Sequence, residues 1–247
     1  FSAALSLIMK ETSILIIGYD LESSDVGIFT AASGISFLLM FFATSFSFMS
    51  FPIMSRMNFD NNNSDIAITY RLITRWKYLL TLPFFVILFV FSNEILVILF
   101  GTDYSSGSGV LKILSFSIFL VVCSGSTGTI LQSLGESSKV LLSDILGAIS
   151  TIFFVLVLIS RYEIYGVAFG MGIGFLLREI IALSFIYRLI KAVPFTLTFL
   201  WLAVFNLVLV YLVRNYLLLV NSHYSVDIEL NVFYDISLTV LFLFFSF

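Results

Sequence analysis

The sequence predicts an all-α integral membrane protein of about eight transmembrane helices, with no soluble domain. Three observations carry this. The 247 residues are 60% hydrophobic and 11% charged, and the mean hydropathy of +1.11 lies far above what a globular domain tolerates. Polar residues collect in short islands between apolar runs of roughly 17 to 25 residues, each long enough to cross a bilayer. The runs are apolar on consecutive positions rather than on alternate ones, which excludes a barrel of strands. Helices follow, because inside hydrocarbon a helix satisfies its backbone hydrogen bonds within one segment.

In chain order the runs place helices near residues 1–18, 26–50, 74–92, 109–133, 139–160, 166–190, 196–214 and 231–247. The first begins at residue 1, which is Phe, and the last, LTVLFLFFSF, stops at Phe247 without a polar exit, so the sequence is expected to be part of a longer chain. Pro52 and Pro83 mark expected kinks. Residues 92–108 hold an apolar patch too short to cross, followed by Gly, Asp, Tyr and Ser, and read as an interfacial turn. The polar stretch from Arg56 to Arg75 reads as a solvated connector or a short helix along the inner surface, the connector being preferred.

Lys and Arg in the connections set orientation, since positive loops are retained in the cytoplasm. Arg56, Arg71, Arg75 and Lys77 follow the second span, Lys139 the fourth, and Arg188 and Lys191 the sixth, all on one side. The opposite connections carry Asp20, Glu22, Asp25, Glu94, Asp103, Glu163, Asp227 and Glu229 against Arg161 and Arg214. That face is expected outside, with both visible ends in the cytoplasm of a multi-pass cell-membrane protein.

No Ser, His and Asp set and no nucleotide-binding Gly-rich loop is present, the single His223 lies in an outer connection, and Cys123 sits alone in an apolar run. The expectation is a protein that is not an enzyme, with no cofactor, no metal and no nucleic-acid partner. Chemistry therefore falls to charges inside the spans, each costing on the order of 3 kcal/mol or more if unpaired at mid-bilayer. Lys10 and Glu11 stand roughly eight residues, about 12 Å, from the outer end of the first span, and Arg178 and Glu179 stand near the middle of the sixth. Neighbours on a helix point about 100° apart, so each doublet is expected to find partners on other helices, as Lys10 with Glu179 or Arg178 with Glu11, or else to stay open to an anionic group such as phosphate. Asp144 is a candidate ion site or a partner for a nearby base, the structural role being preferred. Lys112 and Arg214 read as snorkelling anchors. The run SGSTGT at Ser124–Thr129 and the spacing of Gly166, Gly170 and Gly174 let helices pack closely or bend, packing being preferred over ligand contact.

The strings VGIFTAASGI at Val26–Ile35, FPIMSR at Phe51–Arg56, ILFGTDYSSGSGVLKIL at Ile98–Leu114, ILQSLGESSKVLLSDILGAI at Ile130–Ile149 and LISRYEIYGVAFG at Leu158–Gly170 follow one another in an order and spacing that resembles the polysaccharide biosynthesis flippases. That family belongs to the superfamily of the multidrug and toxin extrusion antiporters and the lipid II flippases, and the likeness covers most of residues 1–190. One departure stands out: where relatives usually read like PryGiiGaA, this chain has Ser160, Arg161, Tyr162, Glu163, Ile164, Tyr165, Gly166, Val167 and Ala168, without the Pro and one Gly.

The resemblance implies a parent of about fourteen helices in two six-helix lobes that rock around a central cavity. Residues 1–190 would be the second lobe, and 191–247 two additional helices, the last one truncated. It further implies transport of a polyprenyl-diphosphate-linked oligosaccharide between leaflets for surface glycan assembly, with membrane lipid, the missing first lobe and glycosyltransferases or a polymerase of the pathway as partners. Two other functions remain open: a cation-coupled multidrug antiporter, which would use Glu11, Asp144 and Glu179, and a non-transporting scaffold for glycan-assembly enzymes.

Overall fold

The computed structural model describes residues 2–59, 63–125, 127–191 and the isolated position 208, without the side chains of 2–8, 10, 42, 43 and 63. The spans expected at 196–214 and 231–247 and the loop holding His223 lie outside the described residues. Within them the chain is helical: α1 (Ser2–Asp20), α2 (Ser23–Phe59), α3 (Asn63–Val90), α4 (Ser92–Phe100), a 3-10 turn (Thr102–Gly107), α5 (Ser108–Cys123), α6 (Thr127–Ser133) and α7 (Ser137–Ile190).

Four stretches, Ser23–Phe59, Ser64–Val90, Thr102–Ser133 and Ser137–Ile190, are long and apolar enough to cross a membrane. The last has 54 residues, roughly 80 Å if straight, against a hydrocarbon core of about 30 Å. It is not straight. Glu163 has φ 49° and ψ −131°, which breaks α7 into two limbs, 137–162 and 164–190. The sequence places a connection at 161–165, and the structure reduces it to one residue.

The limbs run antiparallel in close contact because one lacks side chains where the other approaches. A Cβ on Gly166 would enter the backbone of Leu158 and Ile159, one on Gly170 that of Phe154 and Val155, and one on Gly174 would strike Thr151. These three glycines stand four apart, one turn each, on a single face. In lipid no water is released when apolar surfaces meet, so this closeness gains dispersion contacts instead.

Around the hairpin, α5 packs against α2, α3 and α7, and α1 packs against α7 and α2. One core joins Ile17, Phe29, Leu96, Leu111, Val155 and Met171. A second joins Leu39, Tyr78, Leu82, Phe85, Phe119 and Val122, with Phe85 stacked on Phe119 at 4.2 Å between ring centroids. A third joins Met54, Tyr70, Ile130, Leu131, Val140 and Ile186. Large apolar side chains such as Phe41, Phe48, Phe153 and Ile180 remain exposed, as the outside of a bundle solvated by lipid requires. Most hydroxyls inside it bond back to their own helix: Ser13 to the Met9 carbonyl, Ser36 to Ala32, Ser117 to Ile113 and Thr151 to Gly147.

Two connections differ from expectation. Residues 92–107 are a nine-residue helix and a 3-10 turn, anchored where the Tyr165 hydroxyl donates to the Ser106 carbonyl at 3.0 Å. The stretch 56–75 is neither a free connector nor a separate surface helix, because α2 runs on to Phe59 and α3 starts at Asn63. The polar residues of both helices there have ordinary helix propensity, and both helices simply outlast their apolar runs.

The third core gathers the ends of α2, α3, α6 and α7 at one pole. Arg56, Arg71, Arg75, Lys139, Arg188 and Lys191 all cluster around that pole, whereas Asp20, Glu22, Asp25, Asp103 and Glu163 lie toward the opposite one.

Candidate functional site

Between Cys123 and Thr127 the expected fourth span is interrupted. Gly125 takes φ +89°, and a Cβ there would stand 2.5 Å from Thr74 Oγ1 and 2.6 Å from a Tyr70 ring carbon. Only glycine satisfies both demands. The interruption removes helix partners from backbone groups, and side chains replace them: the Tyr70 hydroxyl donates to the Ser124 carbonyl at 2.6 Å.

Glu179, from the second limb of α7, lies over the break. Its Oε2 accepts from the Thr127 hydroxyl at 2.7 Å and stands 2.7 Å from the Ser124 hydroxyl. Ser124 Oγ is also 2.6 Å from the Val121 carbonyl and has one proton to give. The carboxylate is the charged and stronger acceptor. Glu179 Oε1 accepts from Arg178 Nη1 at 2.8 Å, and Arg178 Nε donates to Asp144 Oδ1 at 2.5 Å. A continuous chain therefore runs from Asp144 through Arg178 and Glu179 to both sides of the broken helix.

The cluster is buried, with side-chain exposures of 3% for Asp144, 7% for Glu179 and 23% for Arg178. Lys77 is 2% exposed in α3. Formally two cations face two carboxylates. In low dielectric that balance matters, because an isolated charge is far more costly than a paired one. Beside the cluster is a cavity of about 200 Å³, lined among others by Lys77, Thr127, Gly128, Gln132, Arg178 and Glu179. Arg178 Nη2 lies at Gly128, 3.8 Å from where a Cβ would stand. Cationic donors on a polar cavity next to a discontinuous helix form an arrangement that suits an anionic or hydroxyl-rich ligand. Among the described residues no three His, Cys, Asp or Glu side chains gather as a metal would need.

The structure thus brings Arg178, Glu179 and Asp144 together. Glu11 is exposed on α1, and Lys10 contributes its backbone to α1 while its side chain lies outside the described part. Arg178 is held by Asp144 and by its own neighbour Glu179, where the sequence argued against pairing within a doublet. The long arginine stem resolves this: it swings the guanidinium away from the direction of its Cα–Cβ bond and back to the adjacent carboxylate.

Lys77, Ser124, Thr127 and Tyr70 are residues of the site that the sequence alone does not identify. Lys77 counts in the sequence among the basic connections, yet it sits inside the apolar run at 74–92, and that position was the available signal. Ser124 and Thr127 belong to the SGSTGT run, where packing was the preferred reading.

Residues 1–109 match the model of a family described as polysaccharide biosynthesis protein. The chain is also similar to the probable low-salt glycan biosynthesis flippase Agl15 of Haloferax volcanii, with 26% identity over 168 residues that cover 68% of this chain and 36% of the relative. The match thus spans about a third of the length of that curated relative. No solved structure matches the chain. These likenesses agree with the ordered strings of the sequence and with a bundle of apolar helices, and they support a polysaccharide biosynthesis flippase family for this chain.

Proposed function

We propose that this chain is one lobe of a membrane transporter that moves a polyprenyl-diphosphate-linked oligosaccharide from the cytoplasmic to the outer leaflet by alternating access. The observation that carries the reading is the Lys77 and Arg178 pair on a cavity inside an apolar bundle, where a broken helix supplies further polar groups. A diphosphate needs cationic donors, and the attached sugars need hydroxyl and amide groups such as Thr127 and Gln132. The likeness to a glycan biosynthesis flippase supports a flippase of glycan assembly in general. The basic pole, with Arg71, Arg75, Arg188 and Lys191, is the cytoplasmic one by the positive-inside rule, in a cell membrane.

The complementary lobe comes from the rest of a longer chain, and glycosyltransferases or a polymerase act before and after it. The chain itself makes and breaks no covalent bond in this scheme. A cation-coupled drug antiporter finds support in the buried carboxylates of Asp144 and Glu179, although Arg178 already occupies both.

The test is glycan export by the full-length protein carrying Lys77→Gln or Arg178→Lys, with membrane levels of each variant measured alongside. Export is expected to fall about tenfold or more in both, a barrier change of roughly 1.4 kcal/mol, while Arg161→Gln at the opposite pole exports normally. Full export in both cavity variants would overturn the reading. Restored drug resistance without glycan export would move it to the antiporter.

A further inference from the structure

We propose that Glu179 is a clasp across the break between α5 and α6, and that a phosphate-class anion bound at Arg178 opens it. The inference rests on the transport reading above and adds how the load would reach the moving parts.

The geometry of the guanidinium forces the issue. Arginine binds a phosphate best through a fork of two adjacent N–H donors. Nη2 belongs to both forks, one shared with Nε and the other with Nη1. Asp144 occupies Nε and Glu179 occupies Nη1. An anion that takes a fork must therefore displace one carboxylate. The cavity decides which: Glu179 lines it beside Arg178 and Gly128. Glu179 is the carboxylate in the anion's way.

Displacement has a mechanical consequence because the same carboxylate holds both sides of the break. Its other oxygen bonds Thr127, the first residue of α6, and Ser124, just past the end of α5. Like charge drives Glu179 from an anion seated on Arg178, and the grip on Ser124 and Thr127 is lost with that movement. α6 has seven residues, too few for a helix to hold itself. It is otherwise held by its packing on α7 and α2, with Ile130 and Leu131 in the third core, while the Tyr70 hydroxyl holds Ser124 on the other side of the break. Gly125, at φ +89°, is the swivel. Loading the cavity thus loosens the segment that leads into α7.

The test is hydrogen exchange of residues 124–133 in the full-length protein in lipid nanodiscs, with inorganic pyrophosphate as probe and sulfate for comparison. Calorimetry on the same sample registers binding. A ligand that merely covers its site slows exchange nearby, and the clasp predicts the reverse. Exchange is expected to rise about tenfold with pyrophosphate, the equivalent of roughly 1.4 kcal/mol in opening free energy. Glu179→Gln is expected to exchange fast without pyrophosphate and to respond no further, and Arg178→Gln to lose the response.

Where Glu179→Gln fails to fold, Ser124→Ala combined with Thr127→Val cuts the clasp from the other side and is expected to exchange fast on its own. Absence of pyrophosphate binding, or binding that slows exchange or leaves it unchanged, overturns the clasp. The two readings separate through export: if Lys77→Gln abolishes glycan export while pyrophosphate leaves exchange unchanged, the clasp falls and the transport reading stands.

Discussion

Arg178 and Asp144, 34 positions apart in the chain, meet at 2.5 Å across the two limbs of the α7 hairpin. The meeting follows from the glycine face. Gly166, Gly170, Gly174 and Arg178 continue one row at steps of four, so the residue after three close backbone approaches is the guanidinium. The Arg178 side chain begins against Gly147 of the other limb, where a Cβ would stand 2.7 Å from Arg178 Cβ. Asp144 is one turn back from Gly147. Close packing thus aims a charge at its partner, and the hairpin and the site are one construction.

This pair gives the first prediction. Arg178→Gln leaves Asp144 and Glu179 buried without their cation and is expected to destabilise the full-length protein by about 3–5 kcal/mol. Adding Asp144→Asn removes one orphaned charge and is expected to recover part of that loss. The coupling in the double-mutant cycle, read from apparent Tm in detergent, is expected at about 1–3 kcal/mol. Strict additivity would show that the two side chains do not act on each other.

The glycine face gives the second. Gly170→Ala would set a Cβ 2.5 Å from the Val155 backbone nitrogen, and neither backbone can yield without parting the limbs. A loss of about 1–3 kcal/mol is expected from such overpacking. Gly34→Ala is the comparison, since nothing stands within 4 Å of a Cβ there, and its apparent Tm is expected to hold or rise slightly. Equal effects of the two substitutions would refute a packing role for the Gly166, Gly170 and Gly174 row.

The apolar runs were legible in the sequence because hydropathy is an average over many residues, and up to residue 190 five of the six coincide with a helix or a limb of one, while the fourth, 109–133, is divided between α5 and α6. The basic and acidic poles were legible for the same reason. Breaks were not, since they depend on single contacts: SGSTGT reads equally well as a packing stripe until Tyr70, Thr74 and Glu179 arrive from other helices. Lys77 was misplaced because charge near the start of a run resembles a loop charge, and only the packing of its neighbours buries it. The pairing of Arg178 with Glu179 was not legible either, because backbone direction does not fix where a long side chain ends.

Glu163 joins the two kinds of information and gives the third prediction. It stands at the first Gly of the PryGiiGaA pattern that the sequence resembles, and it is the one residue of α7 with positive φ, 49°. A side chain at such a conformation costs about 1–3 kcal/mol, while glycine costs roughly 0.5–1 kcal/mol in the unfolded state. Glu163→Gly is expected to gain about 1 kcal/mol net, seen as a higher apparent Tm. Glu163→Ala keeps the Cβ and is expected to gain nothing. A fall in Tm for the glycine variant would show that the Glu163 side chain itself holds the turn.

Gly128 separates shape from charge at the cavity and gives the last prediction. Its missing side chain leaves room beside Arg178 Nη2 and Val140 Cγ1, which would lie 3.8 and 3.9 Å from a Cβ, ordinary contact distances. Alanine therefore fits without displacement, and Gly128→Ala is expected to fold and export normally. Leucine adds three further carbons directed at the opening, occupying much of a cavity of about 200 Å³ and covering the guanidinium. Glycan export is expected to fall about tenfold or more in Gly128→Leu, roughly 1.4 kcal/mol, while apparent Tm changes little because no charge partner is removed. The contrast with Arg178→Gln is the point of the measurement: that variant loses stability and export together, whereas this one loses export alone. Normal export with leucine at position 128 would mean that the ligand path does not pass Arg178.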